Sequence, residues 1–261
     1  MKIITLANSK GGVGKTTLTL NLINVLSQLG KKILVFDTDP QANLSRSLLP
    51  FFNNQTNIEN WFKSNTDNKL LENTIKKTSL KNIDIVEAYN KLISDTNHQL
   101  YLSSMGELLL YNNFKKNFNF LKENYDYIFF DTSPSFNKIL LSVLLVSDEI
   151  ITVIEPHKYS YEGILTIKEP YDNAIKSLNE LGLKFKNNMK YYLLNKVGKN
   201  KTHEAVIDFL NNGAFKDKIL KTKIPLSTIK QKETMLMKFN SITLKNPIAI
   251  LVKELIEKGV L

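Results

Sequence analysis

Near the start of the chain, nine residues carry two lysines, three glycines and two threonines: Ser9-Lys10-Gly11-Gly12-Val13-Gly14-Lys15-Thr16-Thr17. Phosphate chemistry uses this set. Glycines let successive backbone N–H groups turn toward one point and close on phosphate oxygens. Lys15 would reach the β- and γ-phosphates, and the Thr16 hydroxyl would sit on Mg²⁺. The candidate nucleotide contacts are therefore Gly11, Gly12, Val13, Gly14, Lys15, Thr16 and Thr17. Two later segments add acid groups. Asp37-Thr38-Asp39-Pro40-Gln41 follows the apolar run Ile33-Leu34-Val35-Phe36, and Asp131 closes Tyr127-Ile128-Phe129-Phe130. Asp131 has the place of a magnesium ligand acting through water, because Mg²⁺ keeps much of its hydration shell. His98, His157 and His203 have no metal-ligand spacing.

Each group needs an element to aim it. Ile3 to Ala7 reads as a buried strand, and Leu18, Leu22, Val25, Leu26 and Leu29 fall on one face of a helix. Strand, glycine loop and helix is the context a phosphate loop requires, and the helix N-terminus adds partial positive charge there. Gly30 is placed to cap that helix. Carboxylates at the carboxyl ends of parallel strands lie where open α/β sheets bind ligands. Further strands are expected near Asn82–Val86, Glu149–Ile154, Met189–Leu194 and Ile224–Leu226, with helices over 91–122, 139–146 and the C-terminal stripe Ile248, Leu251, Val252, Leu255, Ile256. Met105, Leu108, Leu109 and Phe114 are expected to supply buried positions of the 91–122 segment. This alternation predicts an α/β fold, a mainly parallel twisted sheet with helices on both faces, as one domain over 1–261.

The glycine loop departs from the general phosphate-loop pattern in two places. Ser9 stands where a glycine is usual, and a second lysine, Lys10, precedes the paired glycines. Lys-Gly-Gly-Val-Gly-Lys-Thr-Thr matches the deviant Walker A motif. On that motif and on Asp-x-Asp-Pro-Gln the chain resembles the ParA/MinD group of P-loop ATPases, and its ParA-type partition members in particular. The resemblance implies ATP and Mg²⁺ as cofactors. It implies that Asp37 supports the magnesium shell, that Asp39 orients or activates the attacking water, and that Lys10 reaches the nucleotide of a partner subunit. Thr132-Ser133-Pro134-Ser135 would be the second switch, with Ser133-Pro134 where the family often has two prolines. Asn195 and the loop at Pro225 would approach the adenine base; the family's stretch beyond is matched loosely by 227–240.

The resemblance further implies a cycle. An ATP-bound homodimer would bind nonspecific DNA, and a ParB-like centromere-binding partner would stimulate hydrolysis, so that a plasmid or chromosome is segregated. The formal net charge of +10 suits a polyanion partner, although a single arginine among so many lysines also fits an AT-rich codon bias. The candidate DNA contacts are Lys196, Lys199, Lys201, Lys221, Lys223, Lys230 and Lys232, the densest basic region. A MinD-like membrane-cycling ATPase is the alternative. The Asp-x-Asp-Pro-Gln segment and the balanced charges Lys253, Glu254, Glu257 and Lys258 on the final helix point away from it. Absence of cysteine excludes disulfides and an iron–sulfur relative, and no second-substrate motif marks an amidoligase. With no apolar run of about eighteen residues and a start that enters a strand directly, the expected location is cytoplasmic, on the nucleoid.

Overall fold

A computed structural model describes residues 1–49, 58–88, 90–157, 159–213, 215–226 and 246–261. Lys230, Lys232 and the 227–240 stretch lie outside the described residues. Among the described residues eight strands form one sheet: β1 (Lys2–Ala7), β2 (Ile33–Asp37), β3 (Ile75–Lys77), β4 (Ile83–Val86), β5 (Tyr127–Asp131), β6 (Glu149–Ile154), β7 (Met189–Val197) and β8 (Ile219–Pro225). Their order is β3-β4-β2-β5-β1-β6-β7-β8, parallel throughout except that β3 runs against β4. The described helices are α1 (Lys15–Gln28), α2 (Asn43–Leu48), α3 (Asn68–Glu72), α4 (Asn90–Leu102), α5 (Leu109–Lys116), α6 (Phe118–Asn124), α7 (Lys138–Val146), α8 (Ser160–Glu180), α9 (Lys201–Asn212) and α10 (Pro247–Glu257).

The central strands are apolar at nearly every position because both faces of the sheet are covered. Successive side chains alternate between two cores. Ile4, Leu6, Ile33, Val35 and Phe129 join Leu18, Leu22 and Leu26 of α1, Leu44 of α2 and Leu251 and Leu255 of α10 on one face. Ile3, Leu34, Phe36, Ile128 and Phe130 pack on the other with Trp61, Leu110, Phe114, Ile139 and Val143. There Phe36 meets the Trp61 ring edge-on at 5.0 Å and stacks on Phe130 at 4.9 Å. Trp61 spends its one polar group on Thr74 Oγ1, 2.8 Å away, as a buried indole must.

Several expectations shift by a few residues or more. The 91–122 segment divides into α4, α5 and α6. Met105 has φ 53°, and a side chain at Gly106 would strike the Leu100 carbonyl, so the chain turns between α4 and α5. Met105 is accordingly exposed, whereas Leu108 and Phe114 are buried as expected. Leu29 is also exposed, one residue beyond α1, and Gly30 follows it with φ 81°. β8 begins at Ile219, earlier than the expected Ile224; its alternation of Leu220, Thr222 and Ile224 inward with Lys221 and Lys223 outward is hidden in the sequence by lysine density.

Candidate phosphate and magnesium site

Strand register brings the acid groups together. Asp37 of β2 and Asp131 of β5 are direct neighbours across the ladder, and Leu6 of β1 neighbours Asp131 on its other side. The chain leaves β1 at Ala7 and enters the glycine loop, so loop and carboxylates share the carboxyl edge of the sheet, where open α/β sheets place ligands. Thr38 ties the two acidic segments: its N–H and its hydroxyl both donate to the Asp131 carbonyl, at 2.9 and 2.8 Å.

The loop is held from beneath. Asn8 is buried and accepts the Lys10 N–H at 2.8 Å. Ser9 Oγ donates to the Gly163 carbonyl of α8 at 3.0 Å, which gives a use to the serine that replaces the usual glycine. Gly12 and Gly14 have φ 75° and 94°, the left-handed region that glycine enters without steric cost. Thr16 and Thr17 stand in the first turn of α1, where unpaired N–H groups and the helix dipole favour an anion.

The two lysines have different fates. Lys15 is buried, and its ammonium lies across the loop, donating to the Asn8 carbonyl at 3.0 Å and the Lys10 carbonyl at 3.4 Å. Burial lowers its pKa, with Asp131 and Asp39 pulling back toward the charged form. The Lys10 side chain is half-buried and its ammonium has no partner among the described residues.

The surroundings of the two carboxylates disfavour their charged forms. Asp131 is fully buried, and neither of its carboxylate oxygens has a hydrogen-bond partner among the described residues. Burial drives its pKa well above the usual carboxylate value, and neighbouring Asp37 and Asp39 drive it the same way. The Thr16 hydroxyl and the Lys15 ammonium act against this, the hydroxyl close enough to favour the anion but outside good hydrogen-bond geometry. Asp37 is pushed up to about 6 by burial, despite accepting from Ser45 N–H and Oγ at 2.8 and 2.7 Å. Asp39 is half-buried and accepts the Gln41 N–H at 2.8 Å. Two adjacent buried acids, one with both oxygens orphaned, are an electrostatic fault unless a cation joins them. Among the described residues no three His, Cys, Asp or Glu side chains make a ready cage. A magnesium ion at Asp131, Asp37 and Thr16 would draw its remaining ligands from phosphate and water, which is its habit. The residues present therefore fit ATP with Mg²⁺.

Other expected contacts are dispersed. Asn195 is buried at the end of β7 and donates through Nδ2 to the Val13 carbonyl at 2.7 Å. Lys196 also turns to the loop, donating to the Gly12 carbonyl. Pro225 is exposed at the end of β8. Lys199, Lys201, Lys221 and Lys223 are exposed. The partners of Asp37 and Asp131 in this site, Ser45 and Thr38, carry no motif of their own; a hydroxyl just inside the helix after Asp-x-Asp is the one signal the sequence offers for them.

A parallel sheet whose first strand runs into a glycine loop, with acids on the neighbouring strands, defines a P-loop nucleoside triphosphatase fold. Known proteins agree with this. Residues 1–183 match the family model described as AAA domain. Sporulation initiation inhibitor protein Soj of Bacillus subtilis is 31% identical over 179 residues, spanning 68% of each chain. Virulence plasmid ParA family protein pGP5-D of Chlamydia psittaci is 28% identical over 86% of this chain and 80% of its own. A Cyanothece McdA variant in complex with ATP superposes with a TM-score of 0.79 at 20% identity, covering 98% of this chain and 96% of that one. This chain belongs to the ParA/MinD family of P-loop ATPases, which use ATP and Mg²⁺.

Proposed function

We propose that residues 1–261 act as one ATPase domain of the partition type. The observation that carries this reading is the contrast between the two loop lysines: Lys15 is turned inward, and Lys10 has an ammonium with no partner in its own subunit among the described residues. A cation left over beside a phosphate loop suits a second nucleotide facing it, and hence an ATP-bound homodimer. Bound ATP supplies the phosphoryl group, and Mg²⁺ neutralises charge that develops on it. Lys15 holds the phosphate oxygens in its own subunit, and Lys10 adds charge from the partner. Asp39 would orient the attacking water, and Asp37 and Asp131 would hold the metal.

By family, the ATP dimer binds DNA backbone nonspecifically through exposed lysines, on the nucleoid in the cytoplasm, and a ParB-like partner stimulates hydrolysis and release. Similar proteins named for plasmid partition and the ParA family support that reading over a MinD-like membrane cycle. Among the described residues no helix is long and apolar enough to cross a membrane. The test is DNA retention with ATP, ADP or no nucleotide. Retention is expected with Mg²⁺–ATP alone, and Lys10→Ala or Lys15→Ala should abolish it. Equal retention without nucleotide, or in either variant, would count against the cycle.

A further inference from the structure

Two neighbouring residues of β7 hold two neighbouring carbonyls of the phosphate loop. Asn195 Nδ2 donates to the Val13 carbonyl at 2.7 Å, and Lys196 Nζ donates to the Gly12 carbonyl. In a regular strand, adjacent side chains point to opposite faces, and this double contact could not form. Lys196 has φ 56°, a left-handed value uncommon outside glycine, and the pairing of β7 with β8 slips between Leu194 and Val197. This irregularity aims both side chains at one loop, as strand bulges do near functional sites. Glu155, just past β6, lies 3.6 Å from the Lys196 ammonium and steadies it. A Cβ at Gly14 would come within 2.5 Å of Asn195 Nδ2, so glycine is what lets the amide seat.

Peptide geometry carries this contact into the loop. Across a trans peptide, the carbonyl of one residue and the N–H of the next point in opposite directions. Drawing the Gly12 and Val13 carbonyls toward β7 therefore turns the Val13 and Gly14 N–H groups away from it. Neither amide donates to another backbone group among the described residues. Successive N–H groups turned the same way make an anion nest. We propose that Asn195 and Lys196 are positioning residues, a two-point clamp that sets these amides for phosphate before nucleotide arrives. The proposal rests on the triphosphate reading of the loop. It replaces a base contact for Asn195 and a DNA contact for Lys196.

Lys196→Gly removes the ammonium at a site where glycine accepts the positive φ freely, so folding is retained. Lys196→Arg returns a donor. Two readouts are needed: affinity for Mg²⁺–ADP and for inorganic tripolyphosphate by calorimetry, and amide hydrogen exchange over 11–14 in nucleotide-free protein. Lys196→Gly is expected to weaken ADP about tenfold, the size of one charged hydrogen bond, and to speed exchange over 11–14; Lys196→Arg should restore both. Asn195→Ala should weaken ADP and tripolyphosphate by the same factor, since a clamp acts on phosphate and a base contact does not. Unchanged exchange in Lys196→Gly, no recovery in Lys196→Arg, or a loss confined to ADP in Asn195→Ala would overturn the clamp. If the wild-type chain binds neither ligand, the triphosphate reading fails, and the exchange data alone still decide whether the clamp exists.

Discussion

At the residue scale, the site is built around a pair of buried acids whose charge a bound cation would offset. Asp131 and Asp37 lie side by side on neighbouring strands, both fully buried, and the Asp131 carboxylate finds no hydrogen bond among the described residues. Replacing one ionisable group of such a pair should relieve the nucleotide-free fold even as it disables the chemistry. Asp131→Asn is expected to stabilise the nucleotide-free protein by about 1–2 kcal/mol, in the range found when strained functional groups are replaced, and to abolish Mg²⁺-dependent hydrolysis. Calorimetry with and without Mg²⁺–ATP checks both halves, and a lowered melting temperature for nucleotide-free Asp131→Asn would contradict the electrostatic account. These acids and the loop lysines were legible in the sequence because each closes or follows a strongly apolar run. The reach of Asn195 to the loop was not, since the hydrogen bond spans a sequence separation of 182 residues.

At the element scale, α10 docks on edge strand β8 through one carboxylate. Glu254 accepts the Lys221 and Thr222 N–H groups at 2.8 Å each and the Thr222 hydroxyl at 2.6 Å. Burial pulls its pKa up, but those three hydrogen bonds and nearby Lys258 outweigh it and hold the carboxyl below its ordinary 4.5. A pKa depressed by folding stabilises above the unfolded value, and that stability is lost as pH falls through the folded value. Urea unfolding should therefore show a loss between neutral pH and the acid range below 4.5. Glu254→Gln, which sets an amide against two N–H donors, should cost about 1–3 kcal/mol at pH 7 and flatten that part of the pH dependence. An unaltered pH dependence in Glu254→Gln would show that other groups carry the acid sensitivity. The apolar stripe of α10 was readable from its period; the bond to β8 was not, because Glu254 looks in sequence like one of a set of surface charges.

At the scale of the whole molecule, charge and edge meet on β8. Lys221 and Lys223 project from the same exposed side of the last strand in the sheet. Edge lysines deter strand-to-strand association, and the same pair suits DNA backbone. Salt dependence separates the two roles. If the pair binds phosphate, Lys221→Ala with Lys223→Ala should reduce the slope of log affinity against log salt by roughly 0.9 for each phosphate no longer neutralised, with the ATP dimer intact. An unchanged slope, with new self-association seen by light scattering, would assign these lysines to edge protection.

The linear order of residues determined what is local or periodic: the glycine loop between a strand and a helix, the acids at strand ends, and the two-faced apolar strands of a parallel sheet. Those features depend on steric freedom at glycine and on hydrophobic period, which neighbours in the chain already encode. Only the tertiary structure decided that Lys15 bonds the loop's own carbonyls while Lys10 is left without a partner among the described residues, that Asp37 and Asp131 share one buried spot, and that a twist at Lys196 brings β7 to the phosphate loop. Each depends on register, burial or a reversed φ, and these are properties of how distant segments pack.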